Sequence, residues 1–536
     1  MGNSSSTTDV SNKREPLPVD SIFKLPSALP SLPPGDGFAS GRIDLGGIQV
    51  CQISTFNKVW ATQEGGPDNL GATFFEPSPI PEGFHMLGCY SQPNNKPLFG
   101  WALAAKDNNE GGSTNGNALS KPVDYSLVWS SESLKIKQDS NGYVWLPTPP
   151  DGYKAVGFLV TDVPQKPALD KIRCVRADLT EPCEAESWIW GSSKENDAKG
   201  FNIYSLRPTN RGTQSLGVAV GTFSAQIGGT DALPSSLACL KNANDSNELH
   251  SSMPNLPQIE AIFRAYAPIV YFHPDEKYLP SSVTWYFDNG ALLYKRGEES
   301  NPTPVEPTGS NLPQGGSNDG EYWLDLPKDK NEKEKVKRGD LDSVQAYLQA
   351  KPMFGSTFTD IAVWFFYPFN GPARAKVGAI TVGLGNIGEH IGDWEHITLR
   401  VSNFSGELRK LYLSQHSTGE WVEASGLEFY ENNGGGDSVG GGKRPVTYAS
   451  LNGHAMYAKP GVVMQGTDAI GVRNDTAKSN IVMDTGANFE VVAAEYLAAG
   501  AVVEPAWVNY LWKWGPGDDG PTGPKVKASW NGDERV

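Results

Sequence analysis

One pattern, written three times, constrains this chain more than any other. Val59-Trp60-Ala61, Val128-Trp129-Ser130 and Ile189-Trp190-Gly191 each lead through a long loop and a Pro-rich stretch to an apolar-Gly pair: Leu87-Gly88, Val156-Gly157 and Leu216-Gly217. The Trp-to-Gly spacings are 28, 28 and 27 residues. Each unit reads as strand, loop, turn, strand, and the 59 glycines and 40 prolines favour short strands over long helices. A unit of this size cannot bury its apolar face alone, so three of them are expected to pack about a common axis. The predicted fold is mainly β: an N-terminal three-fold β-prism followed by a β-sandwich domain with a few helices.

Composition shifts set the expected boundaries. Residues 1–36 read as a flexible lead, 37–225 as the prism, 226–257 as a linker rich in Asn, Asp and Ser, 258–515 as the sandwich and 516–536 as a loose tail. Within the second domain, Glu260 to Tyr266 has a helical pattern and Lys328 to Lys351 is expected to include a surface helix. Val363-Trp364-Phe365-Phe366-Tyr367-Pro368 reads as a buried strand, and the Ala/Val/Glu-rich run from Asn488 to Ala499 as a helix.

Charge and cysteine usage exclude several classes. The formal net charge is −16 and no basic stripe is present, which argues against nucleic acid as a partner. Cys51, Cys89, Cys174, Cys183 and Cys239 are scattered and odd in number, which predicts free thiols in a reducing compartment. No run of 18 apolar residues occurs, and the N-terminus lacks the features of a secretory signal. It reads Met1-Gly2-Asn3-Ser4-Ser5-Ser6 instead, the pattern for myristoylation on Gly2. The expected location is therefore cytoplasmic, peripheral on the plasma membrane or on an endosomal or vacuolar membrane, and not secreted.

The chemistry concentrates in Glu389-His390-Ile391-Gly392-Asp393-Trp394-Glu395-His396. Two of the chain's seven histidines fall in these eight residues. On a strand, Asp393 and Glu395 share one face and Trp394 takes the other. His390, Asp393 and Glu395 are the predicted ligands of a divalent ion, Mg²⁺ or Ca²⁺ ahead of Zn²⁺, with His396, His416, His454 and His273 around them.

Three resemblances accompany these residues. The Pro-x-Gly-aromatic turn and the apolar-Gly pair resemble β-prism domains of multivesicular-body and vacuolar-sorting adaptors, which implies binding to membranes or adaptor peptides. The His390–Glu395 segment, with Tyr367-Pro368 and Ser414-Gln415-His416, resembles the Gly-His-Arg-His-Asp-Trp-Glu heptapeptide of necrosis- and ethylene-inducing-like proteins, β-sandwich toxins. That implies metal association for His390, Asp393 and Glu395. Gly392 stands where that family has its second His, and Asn370 near where it has an acidic residue. Pro33-Pro34-Gly35-Asp36-Gly37-Phe38, His273-Pro274-Asp275-Glu276-Lys277-Tyr278-Leu279-Pro280 and Gly392-Asp393-Trp394-Glu395-His396 resemble the plant family named after vacuolar protein sorting-associated protein 62. That name implies a role in vacuolar trafficking.

The sequence thus leads to a non-enzymatic, membrane-associated protein of vacuolar or endosomal trafficking. Its expected partners are membrane lipids, sphingolipid or glycan headgroups, and trafficking adaptors. A carbohydrate- or peptide-binding module is the alternative, since 15 Trp and 19 Tyr offer stacking surfaces. A metal-dependent hydrolase is the third reading, with Asp393 and Glu395 holding the ion and His396 or His416 as general base.

Overall fold

The computed structural model describes residues 16–108, 116–191, 200–227, 232–377, 380–416, 418–430, 444–466, 470–517 and 520–534. The predicted acylation site Gly2 lies outside them. The chain is mainly β, as its composition implies, with three α-helices among the described residues.

The three repeats form three antiparallel three-stranded sheets. They are Phe56–Ala61 with Ala72–Pro77 and Tyr90–Pro93, Asp124–Ser130 with Tyr143–Thr148 and Leu159–Thr161, and Cys183–Gly191 with Phe201–Pro208 and Phe223–Ile227. In each, the register skips one residue on the first strand, directly before the repeat tryptophan: Val59, Val128 and Ile189. Such a bulge bends the strand and re-aims the following side chain. Here it turns the three indoles toward one another, with ring centroids 5.9 Å (Trp60–Trp129), 5.8 Å (Trp60–Trp190) and 5.5 Å (Trp129–Trp190) apart. The axis expected from the spacing is therefore a cluster of three tryptophans.

The glycines meet along the same axis, with one correction. A Cβ on Gly88 would lie 2.9 Å from Gly157 Cα, so these two repeats touch backbone to backbone. The third copy uses Val220-Gly221, which precedes the strand Phe223–Ile227 just as Gly88 and Gly157 precede theirs. Gly221 has φ +79° and its missing Cβ leaves room for Trp101 O. Gly217 lies instead on the short strand Gly217–Val218. The third repeat is three residues longer between Trp and Gly, so equal spacing points to the wrong glycine.

Each repeat is completed by a second small sheet, and the third of these corrects the linker. Cys239–Lys241, inside the predicted 226–257 linker, pairs with Thr180–Glu181 and with Gly217–Val218. Cys239 and Leu240 are buried, so apolar packing draws this segment into the prism.

The second domain is built on a six-stranded sheet in the order Thr418–Glu423, Leu408–Gln415, His390–Ser402, Phe358–Asn370, Ala346–Met353, Phe489–Ala493. Both faces are buried. One packs against the helix Leu256–Tyr266, started by an Asn255 capping box with Gln258. The other packs against the helix Val283–Asp288 and an aromatic layer of Trp394, Trp507, Trp514 and Trp530. Two-sided burial explains the unbroken apolar run in Phe358–Asn370.

Two further expectations fail here. Phe489–Ala493, read as helix, is a strand parallel to Ala346–Met353, where its β-branched valines pack in the sheet. The predicted loose tail, 516–536, is anchored: Trp530 is buried in the aromatic layer and Glu534 is 4% exposed.

Candidate functional site

The strand His390–Ser402 pairs residue by residue with Phe358–Asn370, placing Asp393 opposite Tyr367 and Glu395 opposite Phe365. Alternation sends Asp393 and Glu395 to the face shared with Ile397 and Leu399, and Trp394 to the other. The predicted side-by-side carboxylates are therefore present, at the end of a hydrophobic core. His390 Nε2 lies 3.9 Å from Asp393 Oδ1. His454 Nδ1 lies 3.4 Å from Asp393 Oδ2, and its ring stacks on Tyr367 at 3.9 Å. His454 Nε2 is 3.9 Å from Glu276 Oε2.

Glu276 is the residue that sequence reading missed. It lies three positions after His273, the histidine chosen there. His273 points elsewhere, accepting the Asp275 amide on Nδ1 at 3.1 Å. Glu276 accepts amides from Lys277 and Tyr278 at 2.9 Å and from Asn452 at 2.7 Å, which fixes its carboxylate beside His454. The signal lies in His-Pro-Asp-Glu, where the turn directs one acid inward and leaves the imidazole of His273 outside the group.

His396 does not belong to this group. It sits one residue out of phase with Glu395, hence on the opposite sheet face, where it stacks on Trp364 at 4.4 Å and meets Glu534 at 3.2 Å. His416 bonds Asn474 Oδ1 at 2.9 Å. Gly392 has φ +70°, and a Cβ there would fall 2.3 Å from Trp514 O, so close backbone approach excludes a His at this position. Asn370 donates to Gly388 O at 2.7 Å.

Electrostatically, the two neighbouring carboxylates divide the work. Burial and the adjacent Asp393 charge push Glu395 up to about 8, while Ser414 donates to it at 2.5 Å. Burial also acts to raise Asp393, but the His454 hydrogen bond and the His390 and His454 charges outweigh it and hold Asp393 at about 2. At neutral pH the pair thus carries one proton, on Glu395. Because the folded state keeps this proton and the unfolded state releases it near 4.5, the group lowers stability as pH rises from about 4.5 to 8. Glu395→Gln is expected to flatten that slope and to gain about 1 kcal/mol or more over wild type at alkaline pH. Urea unfolding at acidic and alkaline pH checks this, and an unchanged slope would remove the proton from Glu395.

The donor set suits a hard divalent ion in kind. It combines carboxylates with imidazoles, and His390 Nδ1 and His454 Nε2 are buried without a hydrogen-bond partner. As folded, however, the side chains form a row of pairs, and among the described residues no three His, Cys, Asp or Glu groups converge on one point. Among the same residues, no helix is long and apolar enough to cross a membrane.

With this geometry in place, comparisons with known proteins carry the assignment. TDA6 of Saccharomyces cerevisiae is 26% identical over 41% of this chain and 51% of its own length. Vacuolar protein sorting-associated protein 62 of the same yeast is 30% identical over 20% of this chain and 22% of its own. The chain thus spans about half, or less, of these relatives. Similar solved structures include GNIP1Aa from Chromobacterium piscinae (20% identity, 36% of this chain and 37% of that one, TM-score 0.28). Another is Necrosis and Ethylene inducing Protein 2 from the causal agent of cocoa's Witches Broom disease (12% identity, 37% and 67%, TM-score 0.19). A third is NLPPya in complex with glucosamine (11% identity, 48% and 80%, TM-score 0.20). The family description "Vacuolar protein sorting-associated protein 62" matches residues 19–518, prism and sandwich together, and the chain belongs to that family.

Proposed function

We propose that this protein is a peripheral, non-enzymatic component of vacuolar or endosomal trafficking that works at a membrane surface. The observation that carries the reading is the family match, which takes in both domains. Cell fractionation tests it: the full chain is expected in the endomembrane pellet, released by Gly2→Ala if acylation supplies the anchor. A wholly soluble wild-type protein would sink the reading.

The buried polar row has a part in this proposal. Asp393, with His390 beside it, would hold a Mg²⁺ or Ca²⁺ ion, whose charge would offset carboxylates at the end of the core. Glu395, which keeps its proton, is the weakest of the predicted ligands. Elemental analysis of the purified protein is expected to find a divalent ion that Asp393→Ala loses. Equal metal content in the two proteins would rule the ion out.

A second reading, a carbohydrate- or peptide-binding module, is favoured by a cavity of about 210 Å³ between prism and sandwich. Phe99, Trp101, Trp188 and Phe358 line it together with Arg409 and Lys410. Aromatic walls with cations beside them suit a polar ligand with a stacking face. Glycan-array binding that Trp188→Ala abolishes would favour this reading over the membrane one.

A further inference from the structure

Beside the polar row stands a small sheet that the sandwich core does not use. Its strands run in the order Ile380–Gly383, Arg374–Val377, Ile470–Thr476, Gly461–Gly466. The register aligns Val382, Ala375, Val472 and Gln465 across one face. Ile380 lies two residues from Val382, and Val463 two residues from Gln465, so both share that face. Ile380, Val382 and Val463 are 66%, 44% and 38% exposed. None of them packs into the core clusters on either side of the main sheet. Ile387, in the turn that follows, is 64% exposed.

The opposite face carries the charges, Arg374, Lys376, Arg473 and Asp475, together with Met464 and Val462, which is 53% exposed. Asp475 pairs with Arg374 at 2.8 Å and with Arg473 at 2.6 Å, and Arg473 also donates to Thr381 at 2.7 Å. Lys376 has no ion pair among the described residues. Three cations therefore face one carboxylate, in a chain whose formal net charge is −16. A free sheet with exposed aliphatic side chains and an excess of cations has the charge and hydrophobic distribution of an element that lies in a lipid interface. Protein interface cores are instead enriched in aromatic residues, Met and Arg. The exposed positions here are Val and Ile.

We propose that this sheet is the membrane-docking surface of the second domain, its aliphatic face entering the headgroup region of an anionic bilayer and its cations meeting the lipid charge. The proposal rests on the membrane reading above and assigns it a place. It calls for Ile380, Val382 and Val463 to enter the interface together, with Lys376 supplying the charge-dependent part.

Sedimentation of the non-acylated full chain with phosphatidylcholine vesicles, with and without phosphatidylserine, tests it. Wild type is expected to bind the anionic vesicles. Ile380→Asp with Val382→Asp should lower the bound fraction roughly tenfold, and Val463→Asp should act in the same direction. Lys376→Glu should weaken binding only where phosphatidylserine is present. Val123→Asp, at a position 58% exposed on the prism, should bind like wild type. The aliphatic substitutions sit at exposed sites, so an unchanged unfolding midpoint separates lost docking from lost folding. If wild type binds and the sheet variants bind equally well, the sheet is not the docking surface, while the membrane reading stands. If wild type binds no vesicle, the docking surface falls, while the membrane reading is decided by fractionation of the acylated chain. If the variants instead abolish a concentration-dependent dimer seen by light scattering, the face pairs with a second copy and the lipid assignment is overturned.

Discussion

Trp60→Ala is expected to destabilise the prism by about 3–5 kcal/mol, enough to unfold a marginal domain near physiological temperature. Trp60 is fully buried and stacks on Phe74 at 5.0 Å. Its indole N–H donates to Ser140 O at 2.9 Å, and its ring lies where a Cβ on Gly142 would fall. Truncation removes the ring, leaves a cavity at the axis and strips a carbonyl of its donor. The loss also reaches beyond one sheet. Trp129 and Trp190 each rest on Trp60, and neither repeat can bury its own face without that contact. The effects of Trp60→Ala and Trp190→Ala should therefore fall short of additive, because the second substitution removes contacts already lost. Urea unfolding followed by hydrogen exchange of the prism strands measures both effects. A loss under about 1 kcal/mol, or full additivity, would show that the three tryptophans do not act as one cluster.

The parts of the fold visible in the sequence were those written locally and repeated. The tryptophan repeats located the axis because each copy carries the same apolar-Trp bulge, and a bulge is encoded within one strand. The third glycine was misassigned because a three-residue length change in a loop leaves no local mark. The strand Phe489–Ala493 looked helical because its composition is set by contact with Ala346–Met353, far away in sequence. The candidate site divides in the same way. Strand alternation correctly placed Asp393 and Glu395 together and Trp394 opposite. The same alternation puts His396 across the sheet, one residue out of phase with Glu395. Glu276 and His454 reach the site from distant turns, and no periodicity connects them to His390.

The second large effect concerns Glu534, in the segment expected to be loose. Its carboxylate is almost wholly buried, 3.4 Å from Lys351 Nζ and 3.2 Å from His396 Nε2, and it accepts from Thr398 at 2.8 Å. Asp533 beside it pairs with Arg400 at 2.5 Å, and Arg400 pairs with Asp360 at 2.7 Å. Burial alone would raise Glu534, but the His396 and Lys351 charges outweigh it and hold its carboxyl far below the usual range. Glu534→Gln would leave the Lys351 ammonium, 1% exposed, without its countercharge. Breaking a buried pair from one side costs about 3–5 kcal/mol. The pH dependence identifies the cause. A carboxyl whose folded pKa is depressed contributes stability above its unfolded value, and that contribution disappears as pH falls toward the folded value. The gap between wild type and Glu534→Gln should therefore be full at pH 7 and narrow below about 4.5. A gap that stays constant down to pH 3 would mean that Glu534 acts through shape, not charge. Because Arg211 of the prism reaches Asp533 at 3.6 Å and Thr213 donates to Asn531 O, the same variant should also loosen the hold between the domains. Faster proteolysis between prism and sandwich would register that loosening, whereas Trp60→Ala should expose the prism strands themselves.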